Sequence, residues 1–464
     1  MGVATDRVPP MVTSLSTAAL GAVRDRLDGQ VLLPGEDGYD QARTVWNAMI
    51  DRRPALILRC ASVADVVTAV RTARELDLEI GVRGGGHSVV GQAVPEAGLM
   101  IDLTPMGGVR IDPERRTARV QGGALLGALD RESQRHGLAT TAGNVSHTGV
   151  GGLTLGGGMG WLARQYGLTC DNVQSFEVVT ADGSVVRTSA TDNPDLFWGL
   201  RGGGGNFGVV TEFEFRLHAV GTQALVVGLS FPLDQAQPVA QGWRDLSAEA
   251  PRPATFTLTV APDGLVTVGY VWVGDPDEGR RLLPSLQALG RPASESVVEM
   301  AYLDLQLTDD VIRGHALRHY WKGHYLRALP DDAIEALLLR GTEDGSGDFI
   351  PACGLQAYGG AIADVAEEES AFSHRDTLFE YVASTGWSDP AEDQTRIEVA
   401  RRCAASVEPY ASGMYVNALS DEGAAGVRRA YSPEKLRRLS ALKAAYDPDN
   451  VFHLNANIPP AASP

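Results

Sequence analysis

Three short stretches of this chain carry glycine at a density that few folds tolerate: five in residues 81–91, eight in 143–160 and five in 202–208. Glycine weakens regular elements and is used where backbone takes positive φ or closely approaches something else. Tight turns are the plain alternative. Turns alone rarely need four consecutive glycines, as at Gly202–Gly205, so the clustering points to backbone built around a ligand. A phosphate is the group such loops cradle, because successive N–H groups converge on an anion. Glycine totals 53 of 464 residues and proline 25, a combined share below the roughly 25–30% of low-complexity chains, and no G-X-Y period occurs. Collagen and disordered linkers are excluded.

The 44% hydrophobic and 21% charged shares are those of an ordinary folded protein. At about 150 residues per domain the length predicts two or three domains. A net charge of −18 disfavours nucleic acid and anionic membranes as partners, since each phosphate contact needs a cation. Cys60, Cys170, Cys353 and Cys403 lie far apart with no C-x-x-C pair, which speaks against a zinc site and a disulfide framework and for a reducing compartment. The amino terminus lacks a basic start followed by an apolar core, and no run of about 18 apolar residues occurs. The expected location is the cytoplasm, with no membrane partner; the oligomeric state is left open.

Periodicity places the glycines between elements. Ala55–Cys60 predicts a buried strand, Ser62–Asp77 a capped amphipathic helix and the segment LEIGVRG a second strand, a β-α-β unit from which the loop Arg83–Val94 leaves. A further strand follows at Gly98–Met106, and a helix over Ala124–Gly137 precedes the second window. Ser175–Ser189 predicts a strand pair turned at Asp182-Gly183. The third window contains a literal G-x-G-x-x-G at Gly203, Gly205 and Gly208. A dinucleotide fingerprint should follow a strand and open a helix, whereas here a helical NPDLFWGL precedes and an alternating VVTEFEFRL follows, so that reading is rejected. No phosphate-binding G-x-x-x-x-G-K-[ST] occurs either.

Four segments in order, RGGGHSVVGQAV, VGGLTLGGGMGWLARQYGLTCDNV, LFWGLRGGGGNFGVVTEFEF and LKAAYDPDNVFHLNANI, resemble the FAD-linked oxidases of the vanillyl-alcohol-oxidase superfamily, in their berberine-bridge-like branch. The resemblance runs from about Leu32 to Ile458. It implies an α+β fold: a two-subdomain FAD-binding domain of the PCMH type over residues 1–217, a substrate domain with an antiparallel sheet covered by helices over 218–409, and a segment over 410–464 returning to the FAD domain. The cofactor positions it carries over are Arg83, Gly84, Gly85, Gly86, His87 and Ser88 in the first window, and Gly143, Asn144, Thr148, Gly151, Gly152, Gly156, Gly157 and Gly158 in the second. Val210 and Asn455 complete them. In this family the R-G-G-G-H histidine bonds covalently to the flavin 8α-methyl, and the matching residue is His87; read without the family, it is a loop histidine. Some members add a cysteine bond, but Val145 stands at that position, so a single link is implied, and Cys170 is read as a buried small hydrophobe. Thr148 occupies the position controlling oxygen access, where a small β-branched residue suits an oxidase.

On the substrate side, Tyr415 and Asn417 match the family's Y-x-N segment, with Ala418 where plant members carry a second tyrosine. In the strand read over Gly354–Val365, Gln356 and Tyr358 share a face and replace two glutamates of the nicotine-oxidising members. In TLFEYVAS, Val382 stands where a catalytic glutamate is expected, with Glu380 two residues earlier on the same face. Glu380 is a candidate general base, an exposed strand glutamate being the alternative. Thr148, Tyr415 and Glu380 are thus the catalytic candidates and Gln356, Tyr358, Asn417 and Trp321 the substrate-binding ones. Three histidines in His315–Tyr325 lack metal-ligand spacing, and no metal is expected. The implied reaction is hydride transfer from a C–OH or C–N carbon, or one beside an aromatic ring, of a small substrate to FAD, then to molecular oxygen. A dehydrogenase with another acceptor and a non-catalytic flavin-binding protein are the alternatives.

Overall fold

The computed structural model describes residues 17–310 and 317–462; the amino-terminal residues read for a leader, and His315, lie outside them. The first sheet contains β1 (Gln30–Leu32), β2 (Leu56–Arg59), β3 (Ile80–Arg83) and β4 (Leu99–Asp102) in the order β1-β2-β4-β3. The helix Val63–Glu75 connects β2 to β3, and its N-cap Ser62 accepts from the Asp65 N–H at 3.2 Å. β2 and β3 both run parallel to β4, which sits between them. All four residues of β4 are buried, as a central strand requires.

The second sheet is built from β5 (Val109–Asp112) and β6 (Thr117–Gln121) and, after the two-residue β7 (Leu138–Ala139), from β8 (Val173–Val179), β9 (Val185–Ser189) and β10 (Val209–Arg216). Its order is β5-β6-β10-β8-β9, and β7 pairs separately with β11 (His218–Ala219). Gly183, at φ 77°, makes the predicted turn between β8 and β9. The third glycine window lies between the helix Pro194–Leu200 and β10, the context that argued against a dinucleotide fold.

The third sheet contains β12 (Gln223–Phe231), β13 (Ala254–Val260), β14 (Val266–Val273), β15 (Ser294–Ala301), β16 (Arg318–Leu326), β17 (Ala352–Ala357) and β18 (Phe379–Trp387). Its order is β15-β12-β14-β13-β17-β18-β16, antiparallel throughout. The helices Ala236–Ala248, Asp331–Leu339 and Asp393–Val407 bury their apolar stripes on one face, where Phe379, Tyr381 and Ala383 meet Trp243, Ile334 and Cys403. The period of two then sends Glu380 and Val382 to the other face. Met414, Tyr431, Leu439 and Ile458 return to pack in the core of the second sheet. Among the described residues, no helix is long and apolar enough to cross a membrane.

Candidate active site

The loop after β3 and the loop before the helix Val150–Leu155 meet glycine against glycine. A Cβ on Gly85 would lie 2.2 Å from the Gly149 nitrogen, and one on Gly149 2.3 Å from the Gly85 nitrogen. Only glycine permits that approach, which closes one wall of a cavity of about 630 Å³. All three sheets contribute: Ile80 and Val82 from β3, Val209 and Val210 from β10, and Trp321, Gln356, Glu380 and Val382 from β16, β17 and β18.

Two glycines on this wall face open space. A Cβ at Gly152 or Gly205 would meet nothing within 4 Å, so their bareness serves whatever fills the cavity. Buried polar atoms repeat the message: Asn144 Oδ1, Asn455 Oδ1, Gln356 Nε2, Trp46 Nε1 and Trp321 Nε1 line it without a hydrogen-bond partner among the described residues. Native folds leave few such atoms unpaired, so these mark where a ligand completes the bonding. A glycine-lined rim with amide and indole donors suits the diphosphate, ribityl and ring portions of FAD.

Of the cofactor positions named from sequence, Gly84, Gly85, Gly86, His87, Ser88, Gly143, Asn144, Thr148, Gly151, Gly152, Val210 and Asn455 line the cavity. Arg83 stands outside the wall because its guanidinium turns away to donate to the Ala42 carbonyl. Gly156, Gly157 and Gly158 also stand outside it, and their small size admits protein. A Cβ on them would collide with Asn417 Oδ1 at 2.0 Å, the Phe372 ring at 2.7 Å and Thr169 Oγ1 at 2.3 Å, respectively. The third window does reach the cavity, through Gly204, Gly205 and Gly208.

On the opposite wall, Glu380 lies across the strand pair from Gln356 in register, and both line the cavity. Burial pushes the Glu380 carboxyl up to about 7, opposed by the Tyr358 hydroxyl, which donates to Oε2 at 2.5 Å. Tyr358 itself does not line the cavity. β17 ends at Ala357, Gly359 and Gly360 turn the chain at φ 79° and 57°, and the ring packs edge-on against Tyr325 at 5.5 Å. The strand read over Gly354–Val365 is therefore shorter, with a helical turn at Ala361–Asp364.

Tyr415, in an irregular segment, lines the cavity with Asn417. The Gly158 N–H donates to its hydroxyl oxygen at 2.8 Å and Asn417 Nδ2 at 2.9 Å. Burial first, and the Glu380 charge second, hold this phenol well above its ordinary range and so protonated. Sequence reading missed Trp46, Gln92 and Asp309, which also line the cavity; Gln92 lies within the first glycine-rich segment, whereas Trp46 and Asp309 belong to no glycine motif. Burial and the neighbouring Asp310 raise the Asp309 carboxyl. Of the described histidines in the 315–325 stretch, His319 stacks on Trp46 at 3.7 Å and the His324 Nε2 lies 3.1 Å from the Ala404 carbonyl. No group of three metal-ligating side chains occurs among the described residues.

Known proteins share this arrangement. Residues 54–189 match the family described as FAD binding domain, and residues 414–459 the one described as berberine and berberine like. (R)-6-hydroxynicotine oxidase of Paenarthrobacter nicotinovorans is 32% identical over 458 aligned residues, covering 94% of this chain and 98% of that protein. A crystal structure of 6-hydroxy-D-nicotine oxidase from Arthrobacter nicotinovorans superposes with a TM-score of 0.83 at 29% identity, covering 94% of this chain and 98% of that one. Glucooligosaccharide oxidase from Acremonium strictum, a 6-S-cysteinyl, 8α-N1-histidyl FAD protein, gives 0.85 at 25% identity, covering 95% and 100%. Fold and cavity together define an FAD-dependent oxidoreductase that oxidises its substrate. Within that class, the chain belongs to the berberine-bridge-like family of FAD-linked oxidoreductases.

Proposed function

We propose that this chain is a flavoprotein oxidase taking hydride from a C–OH or C–N carbon of a small organic substrate, with Glu380 as general base and dioxygen as final acceptor. The observation that carries the reading is the Glu380 carboxyl: buried on the cavity wall, held by Tyr358, and poised to titrate near about 7. A base working at neutral pH needs such a value. Bound FAD supplies the hydride acceptor and the reaction with oxygen. The protein's own part is to bind, orient and deprotonate. Glu380 takes the proton of a substrate hydroxyl or ammonium, while the orphaned Gln356 Nε2 and Trp321 Nε1 donate to its polar atoms. Tyr415, kept neutral, orients the substrate with Asn417.

His87 would hold FAD through one covalent bond, because Val145 stands where a second, cysteinyl link would need sulfur. Thr148, small and on the cavity wall, leaves room for oxygen. Four buried thiols outside any disulfide suit the cytoplasm. The purified chain is offered alcohols, cyclic amines and oligosaccharides in air while hydrogen peroxide is measured. Peroxide formed in step with substrate loss is expected. Flavin that a substrate bleaches and air restores only slowly would instead mark a dehydrogenase, and no bleaching by any of them a binding protein.

A further inference from the structure

His147 has no part in the roles above. It precedes Thr148 in the second glycine loop, and its Nδ1 lies 2.7 Å from Nε2 of His87. The contact is fixed from both sides. The Gly85–Gly149 approach sets the distance between the two loops. Trp46 stacks on the His87 ring at 4.8 Å and 19°, and is backed in turn by His319. Beside His147, the Ser146 N–H and hydroxyl donate to the Asp310 carboxylate at 2.8 and 2.7 Å, pinning the loop backbone. His147 Nε2 is buried and has no hydrogen-bond partner among the described residues.

We propose that His147 is the positioning residue and proton acceptor that prepares His87 for covalent attachment of the flavin, an inference that rests on the reading of His87 as the attachment point. A neutral imidazole carries one N–H and one lone pair, and its partner decides which nitrogen has which. With His87 Nε2–H donating to His147 Nδ1, the lone pair of His87 sits on Nδ1, the nitrogen that bonds. Attachment forms an Nδ1–C bond and breaks a C–H bond of the 8α-methyl. The two electrons released reduce the flavin ring, and dioxygen, with two protons, removes them as hydrogen peroxide. One of those protons is the methyl's. The other is the Nε2 proton of His87, which His147 accepts and relays, leaving the alkylated imidazole neutral.

The full-length chain is produced with limiting riboflavin and loaded with FAD in air, as wild type, His147→Gln and His147→Ala. Total bound flavin and the share retained after acid precipitation are followed with time. In the wild type the acid-stable share should rise to completion. His147→Gln should bind as much flavin but attach it about 10²-fold more slowly, the order of a general-base contribution. Added imidazole should speed attachment in His147→Ala. Attachment in both variants at the wild-type rate would overturn the role of His147 alone. A variant that binds no flavin would also count against it, making His147 a binding residue. Release of all flavin by acid from the wild type would overturn the His87 reading and this inference together.

Discussion

Glu380 and Tyr358 make the catalytic proposal testable one side chain at a time. Burial raises the carboxyl and the Tyr358 hydrogen bond lowers it by favouring the charged form. The base must be deprotonated to act, so turnover should rise with pH through about 7. Tyr358→Phe removes a bond to a charged group worth about 1.5–3 kcal/mol. At about 1.36 kcal/mol per pH unit, the midpoint should move up by about one to two units, as a pH profile of kcat/KM would record. Glu380→Gln should lower kcat by about 10²–10⁴ while flavin content stays unchanged, as absorbance would show. Alternation along TLFEYVAS was enough to read Glu380 and Val382 onto one face. It could not show that Tyr358 leaves the cavity wall, because Gly359 and Gly360 turn the chain only in three dimensions.

Glycine has two distinct uses at the level of elements. Gly152 lies in the helix Val150–Leu155 with open space where a Cβ would go. Alanine there should stabilise the flavin-free chain by about 0.5–1 kcal/mol, since glycine weakens helices, yet lower flavin affinity. Gly85→Ala forces a Cβ against the Gly149 backbone and should cost about 1–3 kcal/mol even without flavin. Urea unfolding of flavin-free protein separates the two. Sequence alone marked all three windows but could not distinguish Gly152, which faces the cavity, from Gly156, which admits Asn417. Trp46 and Asp309 were illegible for a related reason: long-range packing brings them to the cavity, and no local motif records it.

The carboxy-terminal return is held by a buried pair, Lys443 and Asp447, 2.6 Å apart. Lys443 Nζ also donates to the carbonyls of Asn206 and Phe452, tying the third glycine window to the tail. Lys443→Met leaves a buried carboxylate unpaired and should cost about 3–5 kcal/mol, read as a lower urea midpoint.

For the whole molecule, order and motif in the sequence reached most of the glycine-lined wall of the cavity, because the loops that form it carry their glycines close together in the chain. The substrate side depends on the register of β16, β17 and β18, which brings Trp321, Gln356 and Glu380 together from segments separated by helices. Three sheets thus enclose one cavity, with a glycine-lined wall on one side and the raised Glu380 carboxyl on the other. In the proposed mechanism these two walls act together. The most direct test follows anaerobic bleaching of the flavin by a peroxide-yielding substrate across neutral pH, in wild type and Glu380→Gln. The reduction rate should rise through one ionisation at about 7 in the wild type and be slow and flat in the variant. The same pH profile in both proteins would contradict it.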